Sequence, residues 1–450
     1  MFNKDFIFGV ATASFQIEGA SNIDGKMPSI WDTHCKKDGN IYDNSNGDIA
    51  CDSYHRYLED VEIISNLHAK TYRFSISWPR VYNDGVLNKA GINYYRNLAK
   101  SLIEKGIKPC VTLYHWDMPQ AIQDKGGLLN PDFPKWFSEY VDAVAKELGD
   151  LVSEYITINE PQCIVFLGHR TKEHAPGLSL TDKELLQAIH NVLLAHGHAV
   201  RAIRKNVPNS TVGFSPCSRG VIPIDDKNKK LYNLCYNKFF EINRNYDFSY
   251  GISIWSDPVF LGDYPKEYYE IFKDILPDIK EGDFEIISTP IDYCYQNIYS
   301  GDYFDLDENG NLIMLPKVQG YAEGNIFWCQ VVPESLYYIP KFLYQRYKKP
   351  IIISENGVPC HDAISLDGEV HDPNRTDFIK RYLIELEKAS KEVDIRGYYY
   401  WSLLDNFEWA WGYTKRFGLV FVDYKTGRRI PKDSYYEYKK IIDESRNQNE

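Results

Sequence analysis

Short runs of β-branched and aromatic residues alternate along the chain with longer segments in which apolar residues recur every three or four positions. The short runs predict buried strands, and the longer segments predict amphipathic helices. Their alternation is typical of βα units around a parallel sheet. Eight strands are predicted in this way, over residues 6–13, 71–77, 109–114, 154–158, 211–215, 291–298, 350–354 and 397–402. We therefore expect an α/β protein with a closed (β/α)₈ (TIM) barrel.

No linker rich in Gly, Ser or Pro and no low-complexity tract divides the 450 residues. The length exceeds the roughly 250 residues of a typical barrel, and long βα loops can hold the excess. We predict a single catalytic domain over residues 1–450. The longest interval between strands, residues 216–290, is expected to contain a helix around Leu231 to Asn245 and an aromatic loop from Trp255 to Tyr264.

The charge balance argues against several classes of partner. The chain has 51 basic and 63 acidic residues, a net charge of −12, which repels nucleic-acid phosphates and anionic lipid. No stretch approaches the roughly 18 apolar residues of a membrane span. The N-terminal residues lack the basic and apolar regions of a secretory signal, so we expect a cytoplasmic protein.

The cysteines predict neither a disulfide framework nor a zinc site. There are nine, an odd and scattered set without a Cys-x-x-Cys pair, and we expect reduced, mostly buried thiols. No phosphate-binding Gly-rich loop is present, and the Asp, Glu and His residues near the strand ends are better explained as partners for a sugar than as metal ligands. We therefore expect no metal and no cofactor.

Polar and aromatic residues follow seven of the eight predicted strands. Active sites of (β/α)₈ barrels are built at the carboxyl ends of the strands, so these residues are expected to meet at one mouth. The residues in question are Gln16, Glu18, Arg73, His115, Trp116, Asp117, Asn159, Glu160, Asn297, Tyr299, Glu355, Asn356, Trp401, Asp405, Asn406, Glu408 and Trp409.

Two glutamates stand directly after β-branched runs. Glu160 follows residues 155–159, and Glu355 follows residues 351–354. A single glutamate at such a position is more often a solvated loop residue, but the polar and aromatic surroundings favour chemistry here. Two carboxyl groups that face each other are what glycoside hydrolysis needs, since one protonates the leaving oxygen while the other attacks or activates water. A separation of about 5 Å would select the retaining route.

Six segments carry a resemblance to a known family. They read FGVATASFQIEG at 8–19, YRFSISW at 72–78, TLYHWD at 112–117, TINEP at 157–161, ISENG at 353–357 and WSLLDNFEW at 401–409. Together they span nearly the whole chain. They resemble the signatures of glycoside hydrolase family 1, the family of retaining β-glucosidases.

The resemblance implies roles for individual residues. Glu160 would be the general acid/base and Glu355 the nucleophile, with Arg73 and Tyr299 favouring the ionised form of the nucleophile. Trp328 resembles a platform for the aglycone, although core packing explains a lone tryptophan equally well. The implied substrate-binding residues are Gln16, His115, Trp116, Asn159, Asn297, Trp328, Trp401, Glu408 and Trp409.

The resemblance implies a retaining β-glucosidase that removes terminal β-D-glucosyl residues from small glycosides or oligosaccharides. A 6-phospho-β-glycosidase and a non-catalytic sugar-binding barrel are the alternatives, and the second would be expected to lose a carboxylate that this chain keeps. Glu408 would repel a 6-phosphate, whereas Tyr413, Lys415 and Arg416 could contact one. The expected partner is a small β-glycoside, and the sequence leaves the oligomeric state open.

Overall fold

A closed ring of eight parallel strands forms the centre of the computed structural model, which describes residues 2–244, 247–317 and 322–447. Each strand pairs with the next one along the chain, and the last pairs with the first. This ring confirms the predicted (β/α)₈ barrel. The strands are β1 (Ile7–Ala11), β2 (Thr71–Ser75), β3 (Lys108–Tyr114), β4 (Glu154–Asn159), β5 (Thr211–Ser215), β6 (Tyr293–Leu306), β7 (Ile351–Asn356) and β8 (Ile395–Trp401).

Strand β7 illustrates why the barrel strands read as continuous apolar runs. Ile351, Ile352 and Ile353 are all fully buried. Because successive side chains of a strand point to opposite faces, Ile352 packs inside the barrel while its two neighbours pack in the main core cluster with residues of the surrounding helices. The interior cluster also contains Ala11, Cys110, Ile156, Tyr295 and Tyr399.

Helices follow the strands and cover the outside of the ring. Two show how the sequence begins them: Asn88 caps Lys89–Glu104, and Thr181 with Glu184 forms a capping box for Asp182–Asn206. The other helices are Ser14–Ile17, Ile30–His34, Ser53–Asn66, Trp78–Val81, Gln120–Asp124, Phe133–Leu148, Pro161–His169, Lys229–Phe240, Ile252–Leu261, Lys266–Ile271, Asp283–Ile287, Ser335–Tyr347, Pro373–Ser390 and Asp433–Asn447.

Two expectations for residues 216–290 need correction. The aromatic loop predicted from Trp255 to Tyr264 is wrong, because Ile252–Leu261 is a helix. Eight of its ten residues are buried, so it has no polar face that would reveal a helical period. The helix expected around Leu231 to Asn245 is present as Lys229–Phe240; residues 241–244 are not helical, and residue 245 lies outside the described residues.

Strand β6 is longer than the predicted 291–298 because it has two additional partners. Cys217–Pro223 pairs with it in parallel, and Leu312–Met314 pairs with it antiparallel.

Two hairpins, residues 82–87 and 420–431, lie outside the ring. The main core cluster contains residues from Phe2 to Ile442, and the single-domain organisation stays a prediction. Among the described helices, none is long and apolar enough to cross a membrane.

Candidate active site

The two glutamates lie at the carboxyl mouth of the barrel, and each follows an irregularity in its strand. Glu160 is the residue after β4, whose register against β5 shifts between Ile156 and Asn159. Glu355 lies in β7, whose register against β6 shifts between Ile353 and Glu355. Such bulges change the direction of a side chain and are common beside active sites. The sheet therefore presents both carboxyl groups to the same mouth.

Three residues of the mouth adopt left-handed backbone conformations. The φ angles are +41° at Glu160, +77° at Trp116 and +50° at Trp409. This region is unfavourable for residues with a side chain and costs about 1–3 kcal/mol each, so the surrounding structure must impose it. The sequence motifs contain these residues but give no sign of this conformation.

Both oxygens of Glu355 accept a hydrogen bond. Arg73 donates through Nη1 to Oε1 at 2.8 Å, and the Tyr299 hydroxyl donates to Oε2 at 2.6 Å. Arg73 is itself fully buried and is held by the Thr112 hydroxyl at 2.9 Å and the backbone carbonyl of Ser354 at 2.9 Å. One positive charge and one hydroxyl thus stabilise the ionised form of Glu355.

Asn159 and Asn297 connect the two glutamates. Arg73 Nη2 donates to Asn159 Oδ1 at 2.6 Å, and Asn297 Nδ2 donates to the same oxygen at 3.0 Å and to Glu160 Oε1 at 2.9 Å. Because a guanidinium group only donates, Asn159 must turn its oxygen to Arg73 and its amide nitrogen towards His115 Nε2, 3.3 Å away. The orientation of the Asn159 amide is therefore determined by its partners.

The neighbours of the two carboxyl groups favour opposite protonation states. Burial, followed by the negative charge of Glu355, raises the pKa of Glu160 to about 7. Burial also raises the pKa of Glu355, but the charge of Arg73 and the hydrogen bond from Tyr299 oppose that rise. Glu160 accepts its hydrogen bond from a neutral amide, so it is the carboxyl group that holds a proton more readily.

Three buried polar atoms near Trp409 have no hydrogen-bond partner among the described residues: Gln16 Oε1, His115 Nδ1 and Glu408 Oε2. Gln16 Nε2 donates to the backbone carbonyl of Phe407 at 2.8 Å, which places this side chain beside Glu408. Burial, followed by the charges of Glu355 and Glu160, raises the pKa of Glu408 to about 8. Unpaired buried polar atoms beside an indole suit a ligand with several hydroxyl groups.

The predicted aromatic residues lie on two sides of the mouth. The His115 ring stacks with Trp401 at 5.7 Å and with Trp409 at 6.0 Å. Trp116 packs against Trp409 at 4.6 Å and donates from Nε1 to the backbone carbonyl of Asn159 at 3.0 Å. Trp116 is buried, and in this structure it contacts Trp409 and Asn159, which line the pocket.

Trp328 lies on the other side, half-buried beside Tyr299. Its ring is 5.5 Å from Tyr299 and stacks with Phe417 at 6.2 Å. The sequence motifs did not indicate Phe417, whose ring also lies 6.1 Å from Tyr299. Its position eight residues after Trp409, in the same loop region, is the only signal that could have suggested it.

Two acidic residues from the strand ends have structural partners instead. Glu18 forms a buried ion pair with Arg80 at 2.9 Å and accepts a hydrogen bond from Tyr95. Asp117 accepts a hydrogen bond from the Ser14 hydroxyl at 3.0 Å. The structure therefore brings together Arg73, Glu160, Tyr299 and Glu355 with the predicted pocket residues, while Glu18 and Asp117 support the loops around them.

Comparison with known proteins identifies the family. Residues 1–447 match the model of glycosyl hydrolase family 1. The chain belongs to this family. Family 1 relatives include β-glucosidase A of Thermotoga maritima, 39% identical over 98% of this chain and 97% of that protein. β-Glucosidase A of Acetivibrio thermocellus is 41% identical over 98% of each chain.

Structures of family 1 enzymes agree with the barrel in detail. The β-glucosidase from Thermotoga maritima in complex with glucoimidazole is 38% identical, with a TM-score of 0.88 over 99% of each chain. The family that the six motifs indicated and the barrel that the alternation of strands and helices predicted are both confirmed.

Proposed function

We propose that this family 1 protein hydrolyses small β-glucosides with Glu355 as nucleophile and Glu160 as general acid/base. The protein is a retaining β-glucosidase, in keeping with relatives that bear the names β-glucosidase and 1,4-β-D-glucan glucohydrolase. One observation supports the division of roles most strongly: Glu355 contacts a cation and a hydroxyl, whereas Glu160 contacts the neutral amide of Asn297.

The reaction has two steps. In the first, Glu160 gives its proton to the glycosidic oxygen while the Glu355 carboxylate bonds to the anomeric carbon, and the aglycone leaves as an alcohol. In the second, the Glu160 carboxylate takes a proton from water, the water oxygen attacks the anomeric carbon, and the bond to Glu355 breaks. Two inversions at one carbon give net retention of configuration.

The glycone is proposed to bind where the unpaired polar atoms and the indoles meet. Asn159 presents an amide N–H on this side, suited to the sugar 2-hydroxyl, a contact that strengthens towards the transition state. Trp328, beside Tyr299, is suited to the aglycone. The proposed glycone residues are Gln16, His115, Asn159, Asn297, Trp401, Glu408 and Trp409, with Trp116 behind them.

Glu408 favours a neutral glycone over a 6-phosphorylated one. Burial, followed by the charges of Glu355 and Glu160, already raises the pKa of Glu408 to about 8, so additional negative charge is unfavourable at this site. A phosphate would bring about −1.5 to −2 charges, and the repulsion is greatest where Glu408 is ionised. The groups downstream that could neutralise it have other partners. Tyr413 and Lys415 donate to backbone carbonyls at 2.7 Å and 2.5 Å, and Arg416 pairs with Asp405 at 2.6 Å.

A direct comparison of substrates tests this proposal. The kcat/KM for an aryl β-glucoside and for its 6-phosphate counterpart should be measured with the same enzyme preparation. We expect the neutral glucoside to be cleaved with a much higher kcat/KM. Preference for the phosphorylated substrate would refute the substrate assignment while leaving the two catalytic glutamates untouched.

We also propose that the protein acts in the cytoplasm. All nine cysteines lie in the described ranges as free thiols, which is typical of proteins in reducing compartments. Cell fractionation with detection of the native protein tests this, and recovery in the extracellular medium or an oxidising compartment would contradict it.

A further inference from the structure

Two thiols lie beside the carboxyl group of Glu160. Cys163 is in the first turn of the helix Pro161–His169, and Cys217 begins the strand Cys217–Pro223. One carboxylate oxygen and the two Sγ atoms all lie within 4.8 Å of one another. The mechanism uses neither thiol. The two cysteines are far apart in the chain, so their spacing gave no sign of a common site.

Gln162 fixes the relative position of the two cysteines. Its side chain is fully buried, and it donates from Nε2 to the Cys217 carbonyl at 2.8 Å and accepts from the Cys217 amide at 3.2 Å. The helix that carries Cys163 is thus tied to the strand that begins with Cys217. Cys163 is buried, with Tyr250 Oη 3.5 Å from its sulfur, whereas Cys217 is partly exposed. Cys217 is therefore the residue of the pair that lies nearer the solvent.

The three donor atoms suit a soft or borderline divalent ion. A tetrahedral Zn²⁺ site with two thiolates and one carboxylate has donor atoms about 3.6–3.8 Å apart. Contraction of the observed cluster by about 1 Å, through side-chain rotation, would reach that spacing. Thiolate ligands select Zn²⁺ and similar ions over Mg²⁺ and Ca²⁺, and water could occupy the fourth position.

We propose that Glu160, Cys163 and Cys217 form an inhibitory binding site for a thiophilic divalent ion such as Zn²⁺ or Cd²⁺. On binding, each thiol and the protonated carboxyl group of Glu160 lose their protons to solvent, and the ion bonds to both sulfurs and to a carboxylate oxygen of Glu160. The carboxyl group can then no longer protonate the glycosidic oxygen. Nothing is oxidised or reduced. The inhibitory effect rests on the proposed role of Glu160, but binding of the ion does not.

Titration with Cd²⁺ tests this site through two independent signals. Full-length protein, kept reduced with a phosphine, is titrated while its kcat/KM on an aryl β-glucoside and its ultraviolet thiolate-to-cadmium charge-transfer absorption are followed. We expect both signals to saturate together at one ion per chain. Cys217→Ser should retain metal-free activity, lose the absorption and need at least about tenfold more Cd²⁺ for inhibition.

Cys35→Ser is the matched control, because Cys35 is also a partly exposed thiol but lies outside the cluster. It should behave like the wild type in both signals, and Cys217→Ala should reproduce Cys217→Ser. Unchanged Cd²⁺ sensitivity of both Cys217 variants would refute the site. Full charge-transfer absorption without inhibition would refute ligation by Glu160, provided that Glu160→Gln shows the metal-free loss of activity expected of the general acid/base. Metal-free activity of the wild type tests the proposed function separately.

Discussion

The hydrogen bond from Tyr299 to Glu355 provides a quantitative test of how Glu355, the proposed nucleophile, is kept ionised. In Tyr299→Phe, a buried carboxylate loses a donor at 2.6 Å. A hydrogen bond to a charged group contributes about 1.5–3 kcal/mol. Since one pKa unit corresponds to about 1.36 kcal/mol, the loss should raise the pKa of Glu355 by about 1–2 units.

The sign of this effect follows from which form the donor stabilises. The Tyr299 hydroxyl stabilises the ionised carboxylate, so its removal makes protonation easier and activity is lost at a higher pH than in the wild type. The acid limb of kcat/KM against pH should therefore move upwards by about 1–2 units. Both limbs belong to the interacting pair Glu355 and Glu160, so the acid limb is compared between variants and is not assigned to one residue.

The assay is the initial rate of aryl β-glucoside hydrolysis at substrate concentrations well below KM, across the full pH range in which the protein stays folded. Tyr295→Phe is the matched control. Tyr295 lies in the same strand and donates to buried Glu154 at 2.5 Å, at the opposite end of β4 from Asn159. Five residue steps of a strand separate Glu154 from Asn159 by about 17 Å.

Tyr295→Phe removes an equivalent hydrogen bond and should leave the acid limb in place. The reasoning is refuted by an unmoved or downward-shifted acid limb in Tyr299→Phe, or by an equal shift in both variants.

Three further predictions concern Glu160 and Glu408. Glu160→Gln should slow cleavage of poor leaving groups by about 10²–10⁴-fold and activated phenols less, with azide restoring turnover as the β-glycosyl azide; equal losses without rescue argue against its role. In the wild type, kcat/KM should fall as pH rises through the pKa of Glu160, about 7, because the protonated form is active. Persistence of that alkaline limb in Glu160→Gln would assign it to another group. Glu408→Ser should narrow the preference for neutral over 6-phosphorylated glucosides, and an unchanged ratio of kcat/KM values would contradict the proposed repulsion.

The ring of strands could be predicted because both faces of each strand are buried, so the strands are mostly apolar runs in the sequence. Ile351, Ile352 and Ile353 are a continuous apolar run for this reason, and Glu355 marks where the strand reaches the mouth. The far part of β6 could not be predicted in the same way. It contains Ser300, Gly301 and Asp302 and pairs with Cys217–Pro223, a strand that is distant in the chain.

The chemistry of the site was predicted more fully than its conformation. Motif positions led to the two glutamates and to Arg73, and they needed no knowledge of local backbone angles. The left-handed conformation of Glu160 and the proximity of Cys163 to Cys217 depend on tertiary packing. No local pattern encodes such features, so a single sequence cannot reveal them.

Trapping of the covalent intermediate tests the central claim most directly. A 2-deoxy-2-fluoro-β-glucoside with an activated leaving group should glycosylate the enzyme faster than water releases the sugar, because the fluorine destabilises the oxocarbenium-like transition states and the leaving group compensates only in the first step. Peptide mass spectrometry then locates the sugar. We predict one fluoroglucosyl group on Glu355. A label on any other residue, or inactivation without a covalent sugar, would contradict Glu355 as the nucleophile.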